Sequence, residues 1–228
     1  MALEYSTYIL LPLFIQRDGK RYNTTLLYDR SGKLVFSYDK QYPFWAEYDL
    51  VPPVTPGKTI TTYLADFGRI GLAICFDANF PLLWQKLADD NADIVFFISE
   101  YSAGQQLAAH ALNHHYSIIS TTLYPDCSVY DIAGQLEQYK TDDELCISRL
   151  SVNTNKIIMH ENYNLDKVDR LLKDHGDIVE LEKHYLREQW LVLKGKTNID
   201  IKTLAKEYGL ETLREYKRRS EKHADRIR

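Results

Sequence analysis

The 228-residue sequence has only three cysteines, Cys75, Cys127 and Cys146, and no two of them form a CxxC pair. So sparse and odd a count excludes a disulfide-stapled scaffold and a cysteine-based zinc cluster, and its simplest setting is the reducing cytoplasm. Long apolar runs are missing too. The longest near the start, YILLPLFI, is too short for a transmembrane helix and lacks the basic leader and cleavage site of an export signal. There is no excess of charge of one sign: a net charge of −4 and a pI of about 6.0 call for neither nucleic acid nor an acidic membrane as partner. Internal repeats and low-complexity segments are absent. What is present is 45% hydrophobic residues, enough for a sizeable core, and 17 tyrosines, which suit half-buried strands and interfaces equally.

The first half is dense in strand patterns. Residues 8–15, 24–29 and 33–39 read as strands, separated by the turn-rich QRDGKRYN and the tight turn Arg30-Ser31-Gly32. QYPFWAEYDLVPPVTPG, with four prolines and no period, reads as a long ordered loop of the kind that often carries function. Residues 60–66 and 69–75 read as a hairpin around Phe67-Gly68, and Pro81 as the first turn of a helix to about residue 90. A buried strand at 93–99, a helix at 104–115, a strand at 117–122 and a late strand pair at 128–131 and 144–150 follow. From Asp166 the pattern changes: Leu171, Leu172, Ile178, Leu181, Tyr185 and Trp190 recur at roughly helical spacing among charges, and 200–228 is a charged helical tail. The expected division is a mixed α/β body over 1–160 and a C-terminal helical extension over 161–228. The apolar stripe of that extension needs a covering surface on the body or on a partner subunit.

GLAICFDANFP, residues 71–81, poses the sharpest chemical question. A free cysteine in an apolar strand is usually core, and that reading stands for Cys127 and Cys146. Cys75 differs, because a buried strand leads into it and a sharp turn and helix leave it, with Asp77 and Asn79 as caps. A thiol placed there faces a helix N-terminus and backbone N–H groups, which favour the thiolate and could also stabilise an oxyanion. A thiolate nucleophile needs charged partners, and the nearest upstream are Lys40, at a strand end, and Glu47, in the proline-rich loop.

SYDKQYP, AEYD and GLAICFDANFP, in this order and spacing, resemble the nitrilase superfamily of carbon–nitrogen hydrolases. That family shows a strand-end Tyr-x-Lys, a Glu shortly after it, and a Gly-x-x-x-Cys-[Tyr/Phe]-Asp-x-x-Phe-Pro block further on; here Lys40 and Cys75 lie thirty-five positions apart. NTTLLYDRSGKLVFSYDK, GKTITTYLADFGRIGLAIC and KLADDNADIVFF extend the likeness on both sides, and YGLETLREYKRRS is similar to the C-terminal region of some bacterial members. The resemblance implies an αββα sandwich, commonly paired into a homodimer. It also implies hydrolysis of a non-peptide C–N bond in a small-molecule amide or nitrile, without metal or organic cofactor. Residue by residue, Cys75 would form a thioester or thioimidate, Lys40 would stabilise the oxyanion with the Phe76 N–H, and Glu47 would position substrate and water. Phe44, Trp45 and Tyr101 are candidate pocket walls.

One part of the family pattern is not found. The triad's general-base Glu follows a Pro at the end of an early strand, well upstream of the lysine, whereas Glu4 precedes the first strand and YILLPLFI contains no acid. Aligned by motif, the sequence starts partway into the domain, so the sandwich is expected to be incomplete at its N-terminus. A fragment is preferred over a degenerate, non-catalytic dimerising member, and both over Glu47 standing in as base. Two further features stand apart. His110, His114 and His115 have a spacing that could hold a metal, but no further ligand supports it, and surface or interface histidines are the expectation. Leu204, Ala205, Tyr208, Gly209 and Leu210 resemble the first half of a DNA-binding helix-turn-helix. The second half offers Glu215 and Arg218 where apolar residues should turn inward, so a charged packing helix is preferred.

Overall fold

The computed structural model describes residues 1–123, 127–140, 148–196 and 199–228. The chain divides into two compact units, Met1–Leu150 and Ser151–Arg228.

The first unit opens with an antiparallel sheet of β1 (Ile9–Arg17), β2 (Lys20–Tyr28) and β3 (Leu34–Asp39), in that order. A second sheet runs β4 (Tyr63–Ala65), β5 (Gly68–Ile74), β6 (Ile94–Ser99), β7 (Ser117–Thr122), β8 (Cys127–Tyr130) and β9 (Leu136–Lys140). Its central trio, β5, β6 and β7, is parallel, with antiparallel strands on either side. GRIGLAI and IVFFIS are nearly continuous apolar runs because strands in this setting are covered on both faces. Helices α2 (Pro81–Asp89) and α3 (Gly104–His114) make the parallel crossovers.

Alternation along β5 assigns the two coverings. A Cβ at Gly71 would come within 3.2 Å of Leu87 on α2, and Trp84 of α2 meets Phe97 of β6 at 6.3 Å, so this face carries the helices. The other face shares a core with the first sheet, to which Leu27 and Tyr38 contribute, and Phe36 of β3 stacks on Tyr63 of β4 at 6.0 Å. The layers are helix, sheet, sheet. Leu11, paired with Leu26 on the outer face of the smaller sheet, is 44% exposed.

Three expectations need correction. The late strand at 128–131 pairs with β9 rather than with 144–150; residues 144–147 and Cys146 lie outside the described residues, and 148–150 form no regular element. The Asp131 carboxylate accepts from the Ala133 and Gln135 amides, and Gly134 has φ +77°, so DIAGQ closes a tight hairpin at once. The proline-rich loop contains a short helix, α1 (Trp45–Tyr48).

The third correction concerns the C-terminal extension, which is not purely helical. It holds an antiparallel sheet of β10 (Lys156–His160), β12 (Trp190–Gly195) and β11 (Val179–Tyr185), with α4 (Leu165–His175), α5 (Ile201–Glu207) and α6 (Leu213–Ile227). VELEKHY begins with a two-residue alternation of apolar and charged residues, and Leu191-Val192-Leu193 is a buried strand centre. Read over a longer window, the same leucines and tyrosines mimic a helical stripe. Because β10 pairs with β12, this unit begins before residue 160. Tyr208 to Thr212 connect α5 to α6 through Gly209 at φ +64°, and α6 buries only Leu213; Glu215 belongs to the Thr212 capping box. No helix among the described residues is long and apolar enough to cross a membrane.

Candidate active site

Lys40 follows the last residue of β3. Its amide donates to the Asn23 carbonyl on β2 and its carbonyl accepts from Gly57, which fixes the backbone at that point. The side chain is 2% exposed, and its ammonium lies 2.5 Å from Oε2 of Glu47. A buried cation is tolerated because this charge-assisted bond compensates its lost hydration. Glu47 is held in turn by the Phe44 amide at 2.6 Å and by Nδ2 of Asn23 at 2.8 Å. The single turn of α1 presents this carboxylate, and Val54 N donating to the Glu47 carbonyl folds the loop back over β2.

Cys75 follows the last residue of β5 and opens a 3₁₀ turn, Cys75–Asn79, with φ +49°. A left-handed conformation at a residue other than glycine costs about 1–3 kcal/mol and persists only where its surroundings enforce it. Asp77 is the enforcing group. It is fully buried; its Oδ2 accepts from the Ile74 amide at 2.9 Å and the Tyr38 hydroxyl at 2.7 Å, and its Oδ1 accepts from the Tyr42 amide at 2.9 Å. Tyr38 and Tyr42 flank Lys40, so the carboxylate two residues after Cys75 binds both sides of the lysine. Burial pushes the Asp77 carboxyl up to about 6, against the opposing pull of these three donors and the Lys40 charge. Its carbonyl also accepts from the Trp84 indole at 3.0 Å, which ties the turn to α2.

The candidate wall residues gather around this turn. Phe44 meets Phe76 at 5.6 Å and Trp45 at 5.3 Å; Phe76 meets Phe80 at 5.6 Å, and Phe80 stacks on Tyr42 at 3.7 Å. Nδ2 of Asn79 donates to the Phe76 carbonyl at 3.2 Å and lies 3.4 Å from the Tyr101 hydroxyl. Burial, helped by the nearby Cys75 and Asp77, raises the Tyr101 phenol, although Asn79 opposes this. Asn79 is therefore not the cap of α2; Phe80 holds that position with no side-chain cap, and Pro81 supplies a pre-set first turn.

Two histidines also depart from expectation. His110 is 8% exposed, stacks on Trp84 at 4.3 Å and meets the Ala78 carbonyl through Nε2 at 2.8 Å. A carbonyl partner requires a proton on that nitrogen, and burial lowers the ring's pKa and keeps it neutral. His115 is buried too, with Nδ1 3.2 Å from the Ile132 carbonyl. The α3 stripe that faces α2 turns His110 inward, and His115, which caps the end of α3, meets the chain at Ile132. No group of three metal-ligating side chains occurs among the described residues.

All seven residues singled out in the sequence thus belong to one region: Lys40 and Glu47 in direct contact, Cys75 joined to them through Asp77, and Phe44, Trp45, Phe76 and Tyr101 along the flank. Sequence reading missed Asn23 as the anchor of Glu47. It also took Asp77 only as a cap. The available signal was a tyrosine two before the lysine and an aspartate two after the cysteine.

The carbon-nitrogen hydrolase family profile matches residues 1–122. A deaminated glutathione amidase of Yersinia enterocolitica is 32% identical over 42% of this chain and 37% of its own length. Human pantetheinase is 30% identical over 43% of this chain and 22% of its own length. The chain therefore spans about a third or less of these relatives. The crystal structure of a carbon-nitrogen hydrolase from Helicobacter pylori superposes with a TM-score of 0.56 at 18% identity, covering 61% of this chain and 60% of the other.

Proposed function

The chain belongs to the carbon-nitrogen hydrolase family, and from that premise we propose that it hydrolyses a non-peptide C–N bond of a small-molecule amide through a Cys75 thioester. The observation that supports this most is a cysteine held at φ +49° on a strand-to-helix turn, tied by one buried carboxylate to both neighbours of the Lys40–Glu47 pair. In this reading the Cys75 sulfur adds to the amide carbon and its proton leaves. The oxygen takes up the electron pair and is met by the Lys40 ammonium and the Phe76 N–H. Collapse breaks the C–N bond, the nitrogen departs carrying the proton that the thiol released, and water then cleaves the thioester to a carboxylic acid and restores the Cys75 thiol. Glu47 aims the Lys40 ammonium and helps position substrate and water; it orients and does not shuttle protons.

A non-catalytic, dimerising member is the second reading, and one observation favours it. Each described carboxylate of the site, Glu47 and Asp77, already accepts from three donors, which commits both to holding the site together rather than to a substrate. Turnover decides between them. The purified chain is assayed for ammonia release from a panel of simple amides and ω-amides, with Cys75→Ala as control, and iodoacetamide adducts are mapped in parallel. Hydrolysis that falls by about 10⁴-fold or more in the variant supports the hydrolase. No turnover, with Cys75 alkylated no faster than Cys127, overturns it. A homodimer and a cytoplasmic location complete the proposal; the second rests on the free thiols of Cys75 and Cys127, and light scattering tests the first.

A further inference from the structure

We propose that Asp77 is a positioning residue: through the Tyr38 hydroxyl and the Tyr42 and Ile74 amides, its carboxylate holds the turn bearing Cys75 in register with the strand end bearing Lys40. This rests on the reading of Cys75 as nucleophile and adds how the two halves of that site, thirty-five positions apart in sequence, are kept together.

Three observations converge. The first is topological. Lys40 leaves a strand of the smaller sheet and Cys75 leaves a strand of the larger one, so no ladder of hydrogen bonds fixes one against the other. Asp77 supplies a direct polar tie: Oδ2 takes the Tyr38 hydroxyl from one sheet and the Ile74 amide from the other, and Oδ1 takes the Tyr42 amide.

The second is chemical. A fully buried carboxylate used only to cap a 3₁₀ turn could be replaced by a neutral acceptor, yet this one also faces a buried lysine whose charge acts on it. The third is the surroundings. The titratable groups that face or adjoin Asp77 are Tyr38, Lys40 and Tyr42 on β3 and its continuation, Cys75 on the turn itself, Tyr101 after β6, and His110 of α3, whose ring holds the neighbouring Ala78 carbonyl. Burial has pushed the Asp77 carboxyl up to about 6, so its two states exchange in an accessible pH range. Once protonated, it can no longer accept all three donors with the same strength.

The test follows the rate at which 2,2′-dipyridyl disulfide, a thiol reagent active in acid, modifies Cys75 in the full chain from about pH 4 to about pH 8. Cys127 serves as the internal reference, adducts are located by mass spectrometry, and circular dichroism monitors the fold. The parent protein is expected to show an inflection near pH 6. Asp77→Asn should keep the fold, lose that inflection, and slow Cys75 by about ten- to a hundred-fold at neutral pH. Tyr38→Phe removes one of the donors that favour the ionised carboxylate, so its inflection should move to higher pH, a shift that loss of packing alone does not produce. If Asp77→Asn does not fold, Tyr38→Phe decides. A rate and inflection unchanged in the folded variant overturn the positioning role and leave the nucleophile standing. A parent Cys75 no faster than Cys127 at every pH overturns the hydrolase reading and this role with it.

Discussion

The two units of this chain treat polarity in opposite ways. The core of the first holds Thr24, Lys40, Asp77, His110 and His115 among its buried side chains, and several of these surround a single turn. The second unit packs Ile157, Met159, Val168, Leu171, Val179, Leu191 and Leu193 into an aliphatic core, and among the described residues it buries only Lys156 and Asn164 as polar side chains. Apart from Lys156, whose ammonium lies 3.0 Å from Glu182, its charges pair nearer the surface, as Lys194 does with Glu180 and Arg219 with Glu211. Burying polar groups costs stability unless each is satisfied, so a fold that concentrates them around one cysteine is using core volume to hold atoms in place. The second unit's core is mostly aliphatic, with its few buried polar side chains spread out rather than gathered at one point.

The comparison can be broken most directly at its charges. Lys40→Met would leave the partly buried Glu47 carboxylate without its cation, and we expect a loss of about 3–5 kcal/mol in urea unfolding. Lys194→Met, at a pair 31% and 42% exposed, should cost about 0.2–1 kcal/mol. Equal losses at the two lysines would erase the distinction. A core substitution in the second unit sharpens it: Leu193→Ala, at a fully buried position in a mostly aliphatic core, should cost about 2–5 kcal/mol, with little change between about pH 5 and about pH 8. A cost that varied steeply over that range would show Leu193 packed against titrating groups rather than aliphatic ones.

The smallest effect expected is that of His110. Its folded pKa is lowered by burial, so the unfolded chain binds the proton first as pH falls below the ordinary histidine value of about 6.5. This residue's contribution to stability is therefore complete above that value and is lost on acidification. His110→Gln cannot take up the proton, so the stability gap between parent and variant should narrow from pH 7 to about pH 5. Asp77 acts with the opposite sign. Its raised carboxyl keeps its proton to about 6 while the unfolded chain loses it near 3.8, so its contribution falls as pH rises between those values, by an amount on the order of 3 kcal/mol. A gap that stayed flat with pH would place His110 among ordinary surface histidines.

How much of this was legible beforehand depended on how local the signal was. The strands around GRIGLAI and IVFFIS, the proline-started α2 and the strand-end Tyr38-x-Lys40 are encoded within a few residues, and their readings need only small shifts at the ends. The second unit was misread because VELEKHY and WLVLKG satisfy both a two-residue and a longer helical period; pairing between β11 and β12 selects the strand. The histidines were misread because their spacing describes α3 alone, whereas Trp84 and the Ala78 carbonyl that receive His110 come from elsewhere in the chain. Asn23 gave no local sign that its amide would find Glu47, since that contact exists only once the proline-rich loop has folded back over β2.

By itself the sequence determined the side chains and their local settings: a cysteine at the mouth of a turn, a lysine just past a strand end, a glutamate in the loop between them, and the apolar alternation that builds the sheets. Each of these follows from side-chain type and short-range geometry. Only the tertiary structure decided that Asp77 would be buried yet bonded to both halves of the site, that Lys40 would be sealed against Glu47, and that the last third of the chain would form a sheet. Desolvation and long-range pairing are sums over residues distant in sequence, and no short stretch contains them.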